Sequence, residues 1–145
     1  MTTAAKTTFG NKLFLGTAAG TLTTVGELLS FDPPNAQRGT MDVTTMDSAA
    51  GAEEVIVEGT YDPGDMKGQV HYIGGSSFDL AMITAVTSGA IQYFKIQLKS
   101  ATGTIDRTGA CYVTSYGPDG QSVKGKQTAA FSLKVTGAVT QAATA

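Results

Sequence analysis

The segment Gly120-Gln121-Ser122-Val123-Lys124-Gly125-Lys126 has the glycine and lysine spacing of a phosphate-cradling loop. Such a loop needs Ser or Thr after the lysine to hold magnesium, and Gln127 stands there instead. It also needs a helix N-terminus that turns its amides to the phosphate, whereas the residues that follow alternate as a strand. The segment reads as a glycine-rich hairpin turn with exposed lysines. Cys111 and His71 are the single thiol and the single imidazole, so a nucleophilic Cys–His pair has only these two to draw on. Cys111 falls mid-strand, where cysteine fills apolar space, and His71 falls on the polar side of its segment. One Cys and one His make no zinc site within the chain. Asp42 with Asp47, and Asp62 with Asp65, lack the alternating oxygen spacing of a calcium loop. A paired-carboxylate glycosidase is not excluded by spacing, but a chain without Trp lacks the usual sugar-stacking surface. Tyr93, Phe94, Tyr112 and Tyr116 near Lys95 and Lys99 have the makings of a single-stranded nucleic-acid platform. A period of two separates Phe94 from those lysines, and the net charge is -2. The expectation is no enzyme, no catalytic residue, no cofactor and no metal.

The elements that position these residues are short strands. The chain has 145 residues, enough for one domain, of which 22 are Thr and 18 Gly. That composition favours strands and tight turns over helices. Charged residues make up 15%, a low share that suits a surface meeting other protein. A lone cysteine makes folding independent of an oxidising compartment, and neither a secretory signal nor an apolar run long enough for a membrane span is evident. Turn signals at Asp32-Pro33-Pro34-Asn35, Asp62-Pro63-Gly64-Asp65, Gly74-Gly75, Ser88-Gly89 and Gly117-Pro118-Asp119-Gly120 divide the chain. Strands are expected at 13–17, 23–31, 40–46, 54–61, 78–87, 91–99, 109–116 and 128–136. The last is the clearest, with Phe131, Leu133 and Val135 on one face and Ser132, Lys134 and Thr136 on the other. One short helix is expected from Asp65, with Met66, Val70 and Ile73 on its apolar side. The fold class is mainly β: an antiparallel sandwich or barrel-like domain with one short α-helix over residues 11–137. Flexible arms are expected at 1–10 and 138–145.

The run Arg38-Gly39-Thr40-Met41-Asp42-Val43-Thr44-Thr45-Met46-Asp47-Ser48, followed by Val57-Glu58-Gly59-Thr60-Tyr61-Asp62-Pro63-Gly64-Asp65, resembles the major tail tube proteins of long-tailed bacteriophages. The ending, Val113 to Gly120 and then Gly125 to Gly137, is similar to that family's last hairpin and final strand. This resemblance implies a virion structural protein, made in the host cytoplasm, that assembles with itself into stacked six-membered rings forming a hollow tube. It implies tape-measure, tail-tip and tail-terminator proteins as partners, and DNA that passes through the lumen without specific binding. It implies that the segment from Arg38 to Glu54 reaches an adjacent ring, which makes Arg38, Asp42, Thr44 and Asp47 the assembly candidates. Local turn capping by the Asp and Thr side chains is the alternative role for these residues. A bore that DNA slides through has to be neutral or acidic, with Lys95, Lys99 and Lys134 paired to acids or turned outward. The alternatives are an inner tube of a contractile phage tail or bacterial secretion system and, in a different class, a monomeric β-sandwich adhesin or binding module.

Overall fold

The computed structural model describes residues 10–26, 28–100, 103–119 and 125–143. Most of the expected N-terminal arm, and residues 120–124 of the loop with phosphate-site spacing, lie outside the described residues.

Among the described residues nine strands and one α-helix form: β1 (Lys12–Gly16), β2 (Thr23–Thr24), β3 (Leu28–Asp32), β4 (Thr40–Asp42), β5 (Val55–Val57), β6 (Asp65–His71), α1 (Ser77–Ser88), β7 (Gln92–Ser100), β8 (Gly103–Pro118) and β9 (Thr128–Ala143). Seven strands make one antiparallel sheet in the order β2-β1-β7-β8-β9-β6-β3, and β4 pairs with β5 in a separate ribbon. The sheet is curled into a half-barrel, the barrel-like form of the expected fold. No helix among the described residues is long and apolar enough to cross a membrane.

Period-two alternation builds the core. Leu13 and Leu15 of β1, Phe94 and Ile96 of β7, Cys111 and Val113 of β8, Phe131, Leu133 and Val135 of β9, and Met66 and Val70 of β6 are all buried on one face. Register holds them together: Val113 lies opposite Leu133, Cys111 opposite Val135, and Met66 opposite Leu133 on its other side. Met82 and Ala85 of α1 close the same core.

The helix is not where the sequence reading put it. Asp65–His71 is a strand, and the residues read as the strand 78–87 form α1 instead. Met66 and Val70 are four apart, a spacing that fits a helix turn and a strand face equally, so the pattern was ambiguous. Gly68 between them settles it, because Phe131 on the neighbouring strand occupies the space where a Cβ would stand. Asp65 caps nothing; it lies in β6 and pairs with Lys134 at 3.2 Å. The true start is marked by Ser76, whose hydroxyl accepts from the Asp79 N–H at 3.2 Å, while the Asp79 carboxylate accepts from the Gly75 N–H at 3.0 Å. Gly89 ends the helix in the left-handed conformation at φ 69°. The run looked like a covered strand because α1 is apolar on two sides: Met82 and Ala85 face inward, and Leu80, Ile83 and Val86 face outward.

The last strand also runs further than expected. β9 continues to Ala143, through most of the segment read as a flexible tail. A long β8 supplies the partners, with Thr108 opposite Thr140 and Ile105 opposite Ala143. A bulge between Thr108 and Ala110, where Gly137 adopts φ 75°, lets the two strands resume pairing.

Asp79 is the one buried charged residue described, at 4% exposure, and it ties helix to sheet by accepting the Tyr116 hydroxyl at 2.8 Å. Phe78 meets the Tyr116 ring edge-on at 5.9 Å. Replacing Asp79 by alanine strands the Tyr116 hydroxyl and the Gly75 amide, and the expected loss is about 1–3 kcal/mol in a urea titration. Tyr116→Phe in the Asp79→Ala background should then cost little more, because the hydroxyl has already lost its partner.

Candidate assembly surfaces

Cys111 and His71 lie on opposite faces of the sheet. Cys111 is fully buried opposite Val135, while His71 continues the outer row of Asp65, Lys67 and Gln69. Burial pushes the Cys111 thiol up from 9.0 to about 12, the opposite of an activated nucleophile. The folded state holds this proton more tightly than the unfolded chain does. Its contribution is therefore intact below pH 9.0 and lost as pH rises toward 12. Stability should fall across that window more steeply in the parent than in Cys111→Ala, and a thiol reagent at pH 8 should label only the unfolded chain. Among the described residues no three His, Cys, Asp or Glu side chains gather as a metal site.

The outer face of the sheet is polar, and two of its lysines, Lys134 and Lys95, find partners inside the chain. Lys134 reaches Asp62 at 2.7 Å and Asp65 at 3.2 Å. The Lys134 ammonium holds the Asp62 carboxyl below its ordinary range, aided by the Gly64 N–H. Lys95 stands 4.6 Å above the Phe14 ring, a cation–π contact between neighbouring strands. Lys67 lies directly opposite Asp32. Asp119 accepts from Gln69 at 2.8 Å and from the Thr128 hydroxyl, which closes the mouth of the β8–β9 hairpin.

The β4–β5 ribbon has no core of its own. From Asn35 to Asp62 every residue is exposed except Ser48. Its base is a single bridge in which Gln37 and Asp62 exchange both backbone hydrogen bonds, at 2.8 and 2.7 Å. Beyond it Thr40 pairs with Val57, Met41 with Ile56 and Asp42 with Val55. Both ribbon faces are apolar: Met41 and Ile56 on one, Val55 and Val57 on the other, each more than half exposed. Met46 at the tip is fully exposed. A two-stranded ribbon of this kind is marginal alone in water.

All four assembly candidates lie on this ribbon, and three of them bond within it through their side chains, Asp47 through its backbone alone. The Asp42 carboxylate accepts from the Thr44 N–H at 2.8 Å, and the Thr44 hydroxyl together with that N–H holds it below its ordinary range. Thr44 Oγ1 accepts from the Glu54 N–H at 2.8 Å and lies 3.3 Å from its carbonyl, locking the two sides of the ribbon together. Arg38 lies over the Tyr61 ring at 5.3 Å and donates to the Glu58 carbonyl at 3.3 Å. Asp47 contributes its backbone N–H to Thr45 Oγ1 at 3.3 Å. The polar residues thus shape the ribbon, and the apolar residues are what it leaves uncovered. Sequence reasoning passed over Met41, Val55, Ile56 and Val57, although Val55-Ile56-Val57 is apolar at both parities in a segment bounded by Glu53-Glu54 and Glu58-Gly59. It also missed the outward row of α1. Among the described residues nothing pairs with the outer side of either edge strand, β2 or β3.

No protein-family model and no curated protein matches the chain by sequence. In structure it is similar to a chain from the tail of an empty gene transfer agent particle with C6 symmetry, at 20% identity and TM-score 0.77, covering 96% of this chain and 100% of that one. It is similar to the SPP1 tail tube at 14% identity and TM-score 0.63, covering 92% of this chain and 77% of that one. A chain of the sheath-tube complex of an extracellular contractile injection system, PVC, matches at 11% identity and TM-score 0.68, over 92% and 88% of the two chains. The likeness spans nearly the whole domain, and the chain has the tail tube fold.

Proposed function

We propose that the chain is the repeating subunit of a phage tail tube, a structural virion protein and not an enzyme. Six copies close into a ring, rings stack into a hollow tube, and DNA leaves through the bore. What carries this reading is the tail tube fold over almost the full length, shared with a tail chain of sixfold symmetry. The open sheet edges agree with it, because ring closure covers β2 and β3 and removes an aggregation hazard. The uncovered ribbon agrees with it too, since a segment with two apolar faces needs protein on both sides. Lys134 neutralised by two aspartates suits a sheet face past which DNA slides, because unpaired basic rings would bind the phosphate backbone. Tape-measure, tail-tip and terminator proteins are the partners such a tube requires.

A tube enclosed by a contractile sheath is the second reading, favoured by the likeness to the PVC sheath-tube chain. Immunogold labelling of particles that contain this protein tests the proposal. Label along the full tail shaft supports it, and contraction of an outer layer around that shaft selects the second reading. Label confined to the capsid or to fibres contradicts both.

A further inference from the structure

Sulfur is unevenly distributed over this subunit. The sequence has five methionines, one cysteine and no Trp. Met66 of β6 and Met82 of α1 are 0% and 3% exposed, and Cys111 is buried in the same core. Met41 and Met46 are 53% and 103% exposed. Among the described residues, every sulfur-bearing side chain that stands in solvent therefore lies on the β4–β5 ribbon.

The ribbon displays both methionines without leaning on them. Met41 stands in β4 opposite Ile56 and belongs to no core cluster. Met46 is held out by a turn that closes through backbone and hydroxyl groups: the Ser48 N–H donates to the Thr45 carbonyl at 3.1 Å, and the Thr45 N–H to Ser48 Oγ at 2.9 Å. A change at either thioether leaves the fold of the free subunit as it is. The same change matters once protein covers the ribbon. A thioether is apolar, whereas a sulfoxide carries a hydrogen-bond acceptor that water satisfies and an apolar contact does not.

We infer that Met41 and Met46 form a redox-sensitive modification site on which assembly depends: peroxide oxidises both in the free subunit, and the oxidised subunit no longer enters the tube. A lone pair of the thioether sulfur attacks one peroxide oxygen, and the O–O bond breaks as the S–O bond forms. The leaving hydroxide takes the proton of the transferred oxygen and departs as water. Sulfur is oxidised and the peroxide is reduced. A methionine sulfoxide reductase supplied with a dithiol reverses the step, giving thioether, disulfide and water. The inference rests on the tube reading above, and it holds whichever protein surface covers the ribbon, because any apolar cover strands the sulfoxide oxygen.

The test treats the full chain with dilute hydrogen peroxide, maps the sulfoxides by peptide mass spectrometry, quenches the oxidant and scores tube formation by light scattering and electron microscopy. Met41 and Met46 are expected to oxidise roughly tenfold faster than Met66 and Met82, with circular dichroism unchanged, and tube yield is expected to fall roughly tenfold. Reductase treatment should restore the yield. A chain carrying both Met41→Leu and Met46→Leu keeps the apolar surface and should form tubes alike before and after peroxide. Because it retains Met1, it also separates oxidation of the ribbon from oxidation there. Oxidised subunits that form tubes as readily as untreated ones overturn the inference and leave the tube reading standing. Loss of tubes from the doubly substituted chain on peroxide treatment, or oxidation of Met66 and Met82 at the rate of the ribbon methionines, overturns it as well. Failure of the untreated parent to form rings or tubes, with or without tail-tip seeds, overturns the tube reading and this inference with it.

Discussion

Excising residues 38–61 and joining Gln37 to Asp62 through Asn-Gly is expected to give a stable, folded monomer that forms no tubes. The junction is suited to the change, because Gln37 and Asp62 exchange both backbone hydrogen bonds and a two-residue type I′ turn closes such a pair. Nothing in the core is lost, since the only residue between Asn35 and Asp62 that is not exposed is Ser48. The Lys134–Asp62 ion pair is retained. Shortening the loop removes closure entropy, so stability should stay level or rise by up to about 2 kcal/mol. Assembly should drop below detection, at least a hundredfold, in light scattering at concentrations where the parent polymerises. A folded excision variant that still forms tubes contradicts the assignment of the ribbon to ring contacts. The single change Ile56→Asp, which leaves the ribbon hydrogen bonds in place, should reproduce most of the loss.

Phe131→Ala should act on the opposite property. Phe131 is 1% exposed on the interior strand β9, flanked by Gly68 of β6 and Tyr116 of β8. Truncating a ring at such a site costs about 3–5 kcal/mol, a large part of the stability of a domain this size. Little relief is available by collapse, because the ring fills space that Gly68 leaves open between two paired strands. A urea titration should show the midpoint falling with an unchanged slope. Gly68→Ala approaches the same contact from the other side, forces a methyl against the ring and should cost about 1–3 kcal/mol. The two changes in one chain should cost less than their separate losses combined, since the alanine methyl then occupies part of the vacated space.

Most of the sheet was legible in the sequence because half-buried strands write a period of two. Phe131, Leu133 and Val135, and Phe94, Ile96 and Leu98, each fall on the expected face. The helix was misplaced for a physical reason. Leu80, Ile83 and Val86 are apolar yet point away from the core, so α1 lacks the polar outer stripe that normally identifies a surface helix. The Ser76–Asp79 cap and Gly89 were the surviving local signals. β9 beyond Gly137 was missed because Ala, Val and Thr there have no strong alternation, and its pairing depends on the distant residues 105–108 of β8. At the candidate surfaces, the ribbon was found through the resemblance, which pointed to Arg38, Asp42, Thr44 and Asp47. Three of these bond within the ribbon through their side chains, and only the structure reveals that Met41, Val55, Ile56 and Val57 are left bare around them.

The central claim is that this fold, with its open edges and bare ribbon, polymerises as stacked rings. Negative-stain electron microscopy of the purified chain before and after concentration tests it directly, with light scattering on the same samples. The account predicts sixfold rings that lengthen into hollow tubes of uniform diameter. A chain that remains monomeric at every concentration, and also when tail-tip complexes are added as seeds, contradicts it.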